Sequence, residues 1–120
     1  MNYYGIILNK SLTSENFLSN YSVKATKRFA ASDWHVHLIV LSEKALNPFI
    51  TNLQEHMIDG PWYNHIFPHS RDVNNKNLYV VFKNKRYEAD AGNILDMHMI
   101  KEYCEKLEIP DEQIVFIHEH

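Results

Sequence analysis

Hydrophobic positions along the chain recur at two periods, every second residue in some stretches and every third or fourth in others, and the switches between them mark out the elements. Tyr3 to Leu8 is a short aromatic and β-branched run closed by Asn9-Lys10-Ser11, which predicts a strand and a turn. Ser11, Thr13 and Ser14 offer caps for one or two helical turns over Glu15-Asn16-Phe17-Leu18. Val23 to Phe29 and Trp34 to Leu41 read as strands joined through Ala30-Ala31-Ser32-Asp33 into a hairpin. In the second of these, alternation sends Trp34, Val36, Leu38 and Val40 to one face and His35, His37, Ile39 and Leu41 to the other. Both faces are apolar at the far end, which suits a central strand.

Asn47-Pro48 is a helix-start signal, since asparagine caps exposed amides and proline is tolerated at the first helical position. Leu46, Phe49, Ile50, Leu53 and Met57 then follow at helical spacing until Asp59-Gly60-Pro61 stops them. Trp62 to Phe67 and Leu78 to Phe82 are two further strands, separated by a polar loop that ends in Asn74-Asn75-Lys76-Asn77. Lys83-Asn84-Lys85 allows a tight turn into a returning strand at Arg86 to Ala89. Asn93 and Asp96 cap a last helix with the inner stripe Met97, Ile100, Cys104 and Leu107, ended by Pro110. Ile114 to Ile117 adds an edge strand.

From Trp34 onward this order predicts an α+β fold of ferredoxin-like type, a βαββαβ sandwich with an N-terminal strand extension, a mainly antiparallel sheet and both helices on one face. The helix-free face would carry Tyr79, Val81, Ile39 and Leu41, too apolar to be left in water, so a homodimer through that face is expected.

The length of 120 residues and a hydrophobic content of 45% fit one domain that buries a core without disulfides. The single cysteine, Cys104, cannot form an internal disulfide, no secretory signal or long apolar run occurs, and a cytoplasmic protein with no membrane partner is expected. Residues 1 to 87 carry ten Lys/Arg against six Asp/Glu and residues 88 to 120 carry two against nine, so regional charges of +4 and −7 underlie the net −3. A net negative chain is a poor ligand for phosphate backbones, and nucleic acid is not an expected partner. The strand Leu78 to Phe82 beside Lys83, Lys85 and Arg86 is the one place a stacking platform could arise, without the glycine-aromatic octapeptide of RNA-recognition motifs.

Candidate chemistry centres on histidine. His35 and His37, two apart on a strand, project from one face about 6 to 7 Å apart at their bases. They could share a transition metal if a third ligand came from elsewhere, with His65, His69, His118 and His120 as candidates. No metal is assigned, because neither H-E-x-x-H nor paired C-x-x-C occurs, and the terminal His118-Glu119-His120 reads as a frayed end. The run from His35 to Leu41 resembles a strand of the two-histidine phosphoesterases, but His37 replaces a hydroxyl residue and the required second copy is missing. The cupin pattern, which also opens with His-x-His, needs an earlier glutamate than Glu43 and more than three glycines. Cys104 lies on a helix stripe and suits a packing role; no nucleophile elbow, P-loop or dinucleotide-binding pattern is present, and Glu102, Glu105 and Glu108 suit a solvated helix face.

Gly60-Pro61-Trp62-Tyr63-Asn64-His65 places two aromatic residues and an imidazole between a helix end and a strand, a pocket lining with apolar bodies and polar tips. The expected site is a small-molecule ligand pocket made by His35, His37, Trp62, Tyr63 and His65, in a binding, regulatory or interaction module of unassigned cofactor. The alternative is a small metal-dependent or acid-base enzyme using the face of His35 and His37.

Five short motifs carry a resemblance: Tyr-Gly-Ile-Ile (Tyr4 to Ile7), Trp-His-Val-His (Trp34 to His37), Gly-Pro-Trp-Tyr (Gly60 to Tyr63), Tyr-Val-Val-Phe-Lys (Tyr79 to Lys83) and Leu-Glu-Ile-Pro-Asp-Glu-Gln (Leu107 to Gln113). In these the chain resembles a set of small bacterial proteins of similar length to which no activity is assigned. The resemblance implies one complete domain and transfers no catalytic residues.

Overall fold

The computed structural model describes residues 2–29, 33–68 and 77–114. Six strands form one sheet: β1 (Asn2–Leu8), β2 (Ser22–Arg28), β3 (His35–Ser42), β4 (Asn64–Pro68), β5 (Asn77–Val81) and β6 (Arg86–Asp90). Two helices, α1 (Glu43–His56) and α2 (Ile94–Lys106), and short 3-10 turns at Asn9–Ser11, Glu15–Asn20 and Asp111–Gln113 complete the chain. The order across the sheet is β2-β3-β1-β4-β5-β6, and every pairing is antiparallel. The β2–β3 and β5–β6 hairpins are local, as their sequences predict. β1 is not peripheral: it lies between β3 and β4, pairing Gly5 with Ile39 on one side and Ile66 on the other.

That central position explains Gly5. A Cβ built there would stand 2.9 Å from Ile39 Cγ1 and 3.6 Å from Ile66 Cγ1, both on fully buried side chains. Only a residue without a side chain lets the strands on either side fill the core above it.

The chain is α+β with an antiparallel sheet, as expected, but the ferredoxin-like order is not found among the described residues. The helices also lie on opposite sheet faces. Neighbouring residues of a strand face opposite ways, and Val81 packs in one core with Tyr3, Ile7, Ile39, Leu41 and the α1 residues Leu46, Phe49, Ile50 and Leu53. Val80 packs in the other with Leu78, Ala89 and the α2 residues Ile100 and Cys104. Ile39, Leu41 and Val81 are therefore covered by α1 within the same chain. The residues from which a homodimer through a helix-free face is expected thus have their cover within the chain.

The start of α1 also differs from the Asn47-Pro48 expectation. Ser42, the last residue of β3, caps the helix by accepting from Ala45 N at 3.2 Å, so strand passes directly into helix. Pro48 sits inside α1 and forfeits one ladder bond, a loss outweighed by burial of Leu46, Phe49, Ile50 and Leu53 at about 1.5–3 kcal/mol each. Asn93 caps α2 as its sequence predicts, with Oδ1 accepting from Leu95 N and Asp96 N. Beyond α2, Glu108 takes a left-handed conformation (φ 63°), Glu108 N donates to Glu105 O and Ile109 N to Cys104 O, a Schellman ending that buries Ile109.

Phe82 is buried and Lys85 lies over the rings of Tyr87 and Tyr103 at 5.0 and 5.5 Å, while Lys83 donates to Gln54 O. Phe82, Lys83 and Lys85 of that hairpin are thus engaged within the fold, while Arg86 is exposed. Among the described residues no helix is long and apolar enough to cross a membrane.

Candidate functional sites on the two faces of the sheet

His35 and His37 project from the same face of β3, with ring centroids 5.0 Å apart and planes nearly perpendicular. Their side chains are only 12% and 13% exposed. Both Nε2 atoms converge on one oxygen, Glu15 Oε2, at 2.8 Å each. Behind them, His37 Nδ1 lies 2.8 Å from Thr26 Oγ1 on β2, and the His35 backbone amide donates to Asn9 Oδ1. Partial burial pushes the Glu15 carboxyl up, but the hydrogen bonds and charge of the two imidazoles outweigh it and hold its pKa below the ordinary 4.5.

Glu15 reaches the histidines because the segment before β2 is pinned at several points. Ser14 caps the Glu15–Asn20 turn, accepting from Asn16 N, and Phe17 and Leu18 are buried. Phe17 stacks on His56 at 4.6 Å, with planes 6° apart, and closes on Tyr21 and Phe49. Thr13 N donates to His56 O and Ile58 N to Ser11 O, tying the segment to the end of α1. Sequence reasoning placed Glu15 in a capped turn and did not connect it to the histidines. Twenty residues separate it from His35, and no local spacing encodes a contact of that kind.

The opposite face carries a cavity of about 300 Å³. Ile6, Leu8 and Val36 form its floor, on half-buried strand positions that neither helix covers, and Phe29 and Pro61 stand at its edge. Trp34 and Trp62 meet edge to face, 5.5 Å between centroids and 65° between planes, as two of its walls. Gly60 sets the loop that delivers Trp62: its φ is +138°, and a Cβ there would stand 2.9 Å from the indole Nε1. Polar character comes from Tyr63, His65 and Gln113. The Tyr63 hydroxyl donates to the Gln113 carbonyl, closing that end of the cavity with the chain beyond α2. His65 is 3% exposed on β4, between the rings of Tyr63 and Phe67.

The five expected site residues therefore do not form one pocket. Trp62, Tyr63 and His65 come together, joined by Trp34 from the neighbouring hairpin. His35 and His37 lie on the other side of the sheet, because they share the face of Ile39 and Leu41, whereas the β1–β4 register pairs His65 with Ile6 on the face of Val36 and Trp34. His69, His118, His120, most of the expected Ile114–Ile117 strand and the loop before Asn77 fall outside the described residues. Cys104 is buried against α2's core, and that burial, with Glu105 adding to it, pushes its thiol up to about 12.

Compared with protein-family models, with curated proteins and with solved structures, the chain finds no match. What the two faces can do rests on their geometry.

Proposed function

We propose that this protein is a small-ligand-binding module whose site is the cavity between β1, β3 and the Gly60–Tyr63 loop. The observation that carries the reading is that both tryptophans of the chain, Trp34 and Trp62, come from distant segments to wall one cavity. At about 300 Å³ it is at the small end of ligand sites, and its floor is aliphatic with polar groups at one end only. The occupant it fits is a compact, flat, largely apolar molecule with a single polar group directed to the Tyr63, His65 and Gln113 end. Apolar surface removed from water contributes about 25 cal/mol per Å², and the polar end sets orientation.

Occupancy has a route to the rest of the fold. Phe29 and Trp34 both line the cavity, and Phe29 N donates to Trp34 O at 3.1 Å where β2 and β3 close. A ligand resting on these two residues would stiffen the open end of the hairpin, which suits a regulatory or interaction role in the cytoplasm. The test uses 1-anilinonaphthalene-8-sulfonate with the native chain. Saturable one-to-one enhancement of its emission, with quenching of tryptophan and unchanged near-ultraviolet circular dichroism, is expected. Val36→Phe, which fills the floor, should abolish it. Equal binding by Val36→Phe, with its fold intact, would refute the reading.

A further inference from the structure

On the sheet face away from the cavity, Glu15, His35 and His37 form a cluster that the ligand reading does not use. We infer that these three side chains are a binding site for one divalent first-row transition ion, of which zinc is the natural probe. The inference stands independently of the cavity.

The donor set is the first reason. Two imidazole nitrogens and one carboxylate oxygen are the borderline ligands that zinc, iron, cobalt and nickel take in preference to calcium or magnesium. Geometry is the second. Metal bonds of about 2.0–2.2 Å, at tetrahedral or octahedral angles, require neighbouring donors about 3 to 3.5 Å apart. Glu15 Oε2 lies 2.8 Å from each Nε2, and one donor atom from every residue of the set falls within 4.8 Å of the others. The Glu15 side chain is 41% exposed and has room to draw back from the two imidazoles as an ion enters between them.

The surroundings fit the same assignment. Thr26 Oγ1 lies within hydrogen-bond distance of His37 Nδ1 and can accept from Nδ1–H when an ion replaces the proton on Nε2, the outer partner that a metal-bound imidazole takes. Asn9 holds the backbone of His35, and the buried pair Phe17 and Leu18 holds the turn that carries Glu15. The ligands are thus positioned from three elements before any ion arrives. Three protein donors leave at least one coordination position for water or another small ligand on the Glu15 side, the pattern of a reactive or exchangeable centre and not of a closed structural one.

The experiment is titration of the untagged full-length chain, stripped with a chelator, with zinc in competition with a chromophoric chelator. One equivalent should bind, and Glu15→Gln and the double variant His35→Gln/His37→Gln should each weaken it by more than about a hundredfold, with Thr26→Val weakening it by about tenfold through loss of the outer partner. His98→Ala, at an exposed histidine of α2, should bind as wild type. Far-ultraviolet circular dichroism and the unfolding midpoint in chelator establish that each variant is folded. Cobalt(II) provides a second readout, because its visible spectrum should appear in wild type and vanish in Glu15→Gln. Absence of saturable zinc binding, or binding that Glu15→Gln and His35→Gln/His37→Gln leave unchanged, would overturn the assignment and leave the three residues as a hydrogen-bonded cluster.

Discussion

Replacement of Asn64 by alanine tests how the end of β1, where Leu8 lines the cavity, is held. Asn64 is 1% exposed at the first position of β4; its Oδ1 accepts from Leu8 N at 2.7 Å, and its Nδ2 donates to Ser11 Oγ at 2.9 Å. Ser11, itself fully buried, donates from Oγ to Leu8 O at 2.7 Å, closing a ring around the end of β1. Asn64→Ala leaves the Leu8 amide without its acceptor, at about 1–3 kcal/mol, and removes the bond to Ser11, at about 1 kcal/mol more. The expected loss of stability is therefore about 2–4 kcal/mol. Ser11→Ala should cost about 1–2 kcal/mol, and because both variants lose the same Asn64–Ser11 bond, the double variant should fall short of additivity by about 0.5–1.5 kcal/mol. Urea unfolding followed by tryptophan emission measures all three. A loss below about 0.5 kcal/mol for Asn64→Ala, or strict additivity in the double variant, would refute the ring as a source of stability.

Three other outcomes follow from single positions. Gly60→Ala places a Cβ against the Trp62 indole at a glycine-only backbone angle, so it should cost about 1–3 kcal/mol and weaken dye binding in the cavity; unchanged unfolding and binding would contradict the loop geometry. Glu108→Gly relieves a left-handed non-glycine residue at the end of α2 and should raise stability by about 0.5–1 kcal/mol in the same unfolding assay. The Cys104 thiol, pushed up to about 12 by burial, should resist a disulfide reagent in the folded protein at pH 8 and react at once when urea unfolds it. Since the unfolded thiol ionises near 9.0, its contribution to stability is constant below that pH and is lost as pH rises from 9 towards 12, and urea midpoints across that range check the sign.

Much of the local structure is legible in the sequence. The β2–β3 and β5–β6 hairpins and α2 with its Asn93 cap rest on spacing and turn chemistry within a few residues. The start of α1 is not legible, because Asn47-Pro48 is a strong local signal overridden by burial of Leu46 and by Ser42, which caps from the end of a strand. Strand order was not legible, because the insertion of β1 between β3 and β4 is a choice among non-local pairings that alternation alone leaves equivalent. The placement of helices on both faces was hidden for a related reason. Val80 and Val81 are both apolar and both buried, and nothing in that pair says which helix each will meet. Half of the cavity lining was legible, since Trp62, Tyr63 and His65 are close in sequence and line one cavity. Its other tryptophan, and the glutamate that joins the two histidines, arrive through tertiary contacts.

The most direct test of the cavity as a ligand site uses the two indole N–H signals in a proton–nitrogen correlation spectrum. Only Trp34 and Trp62 contribute them, and both line the cavity. Titration with a panel of small aromatic fragments, each carrying one polar group, should shift both signals together and saturably for at least one compound, with His65 backbone resonances moving in step. If every fragment that binds leaves both indole signals in place, the cavity is not the binding site.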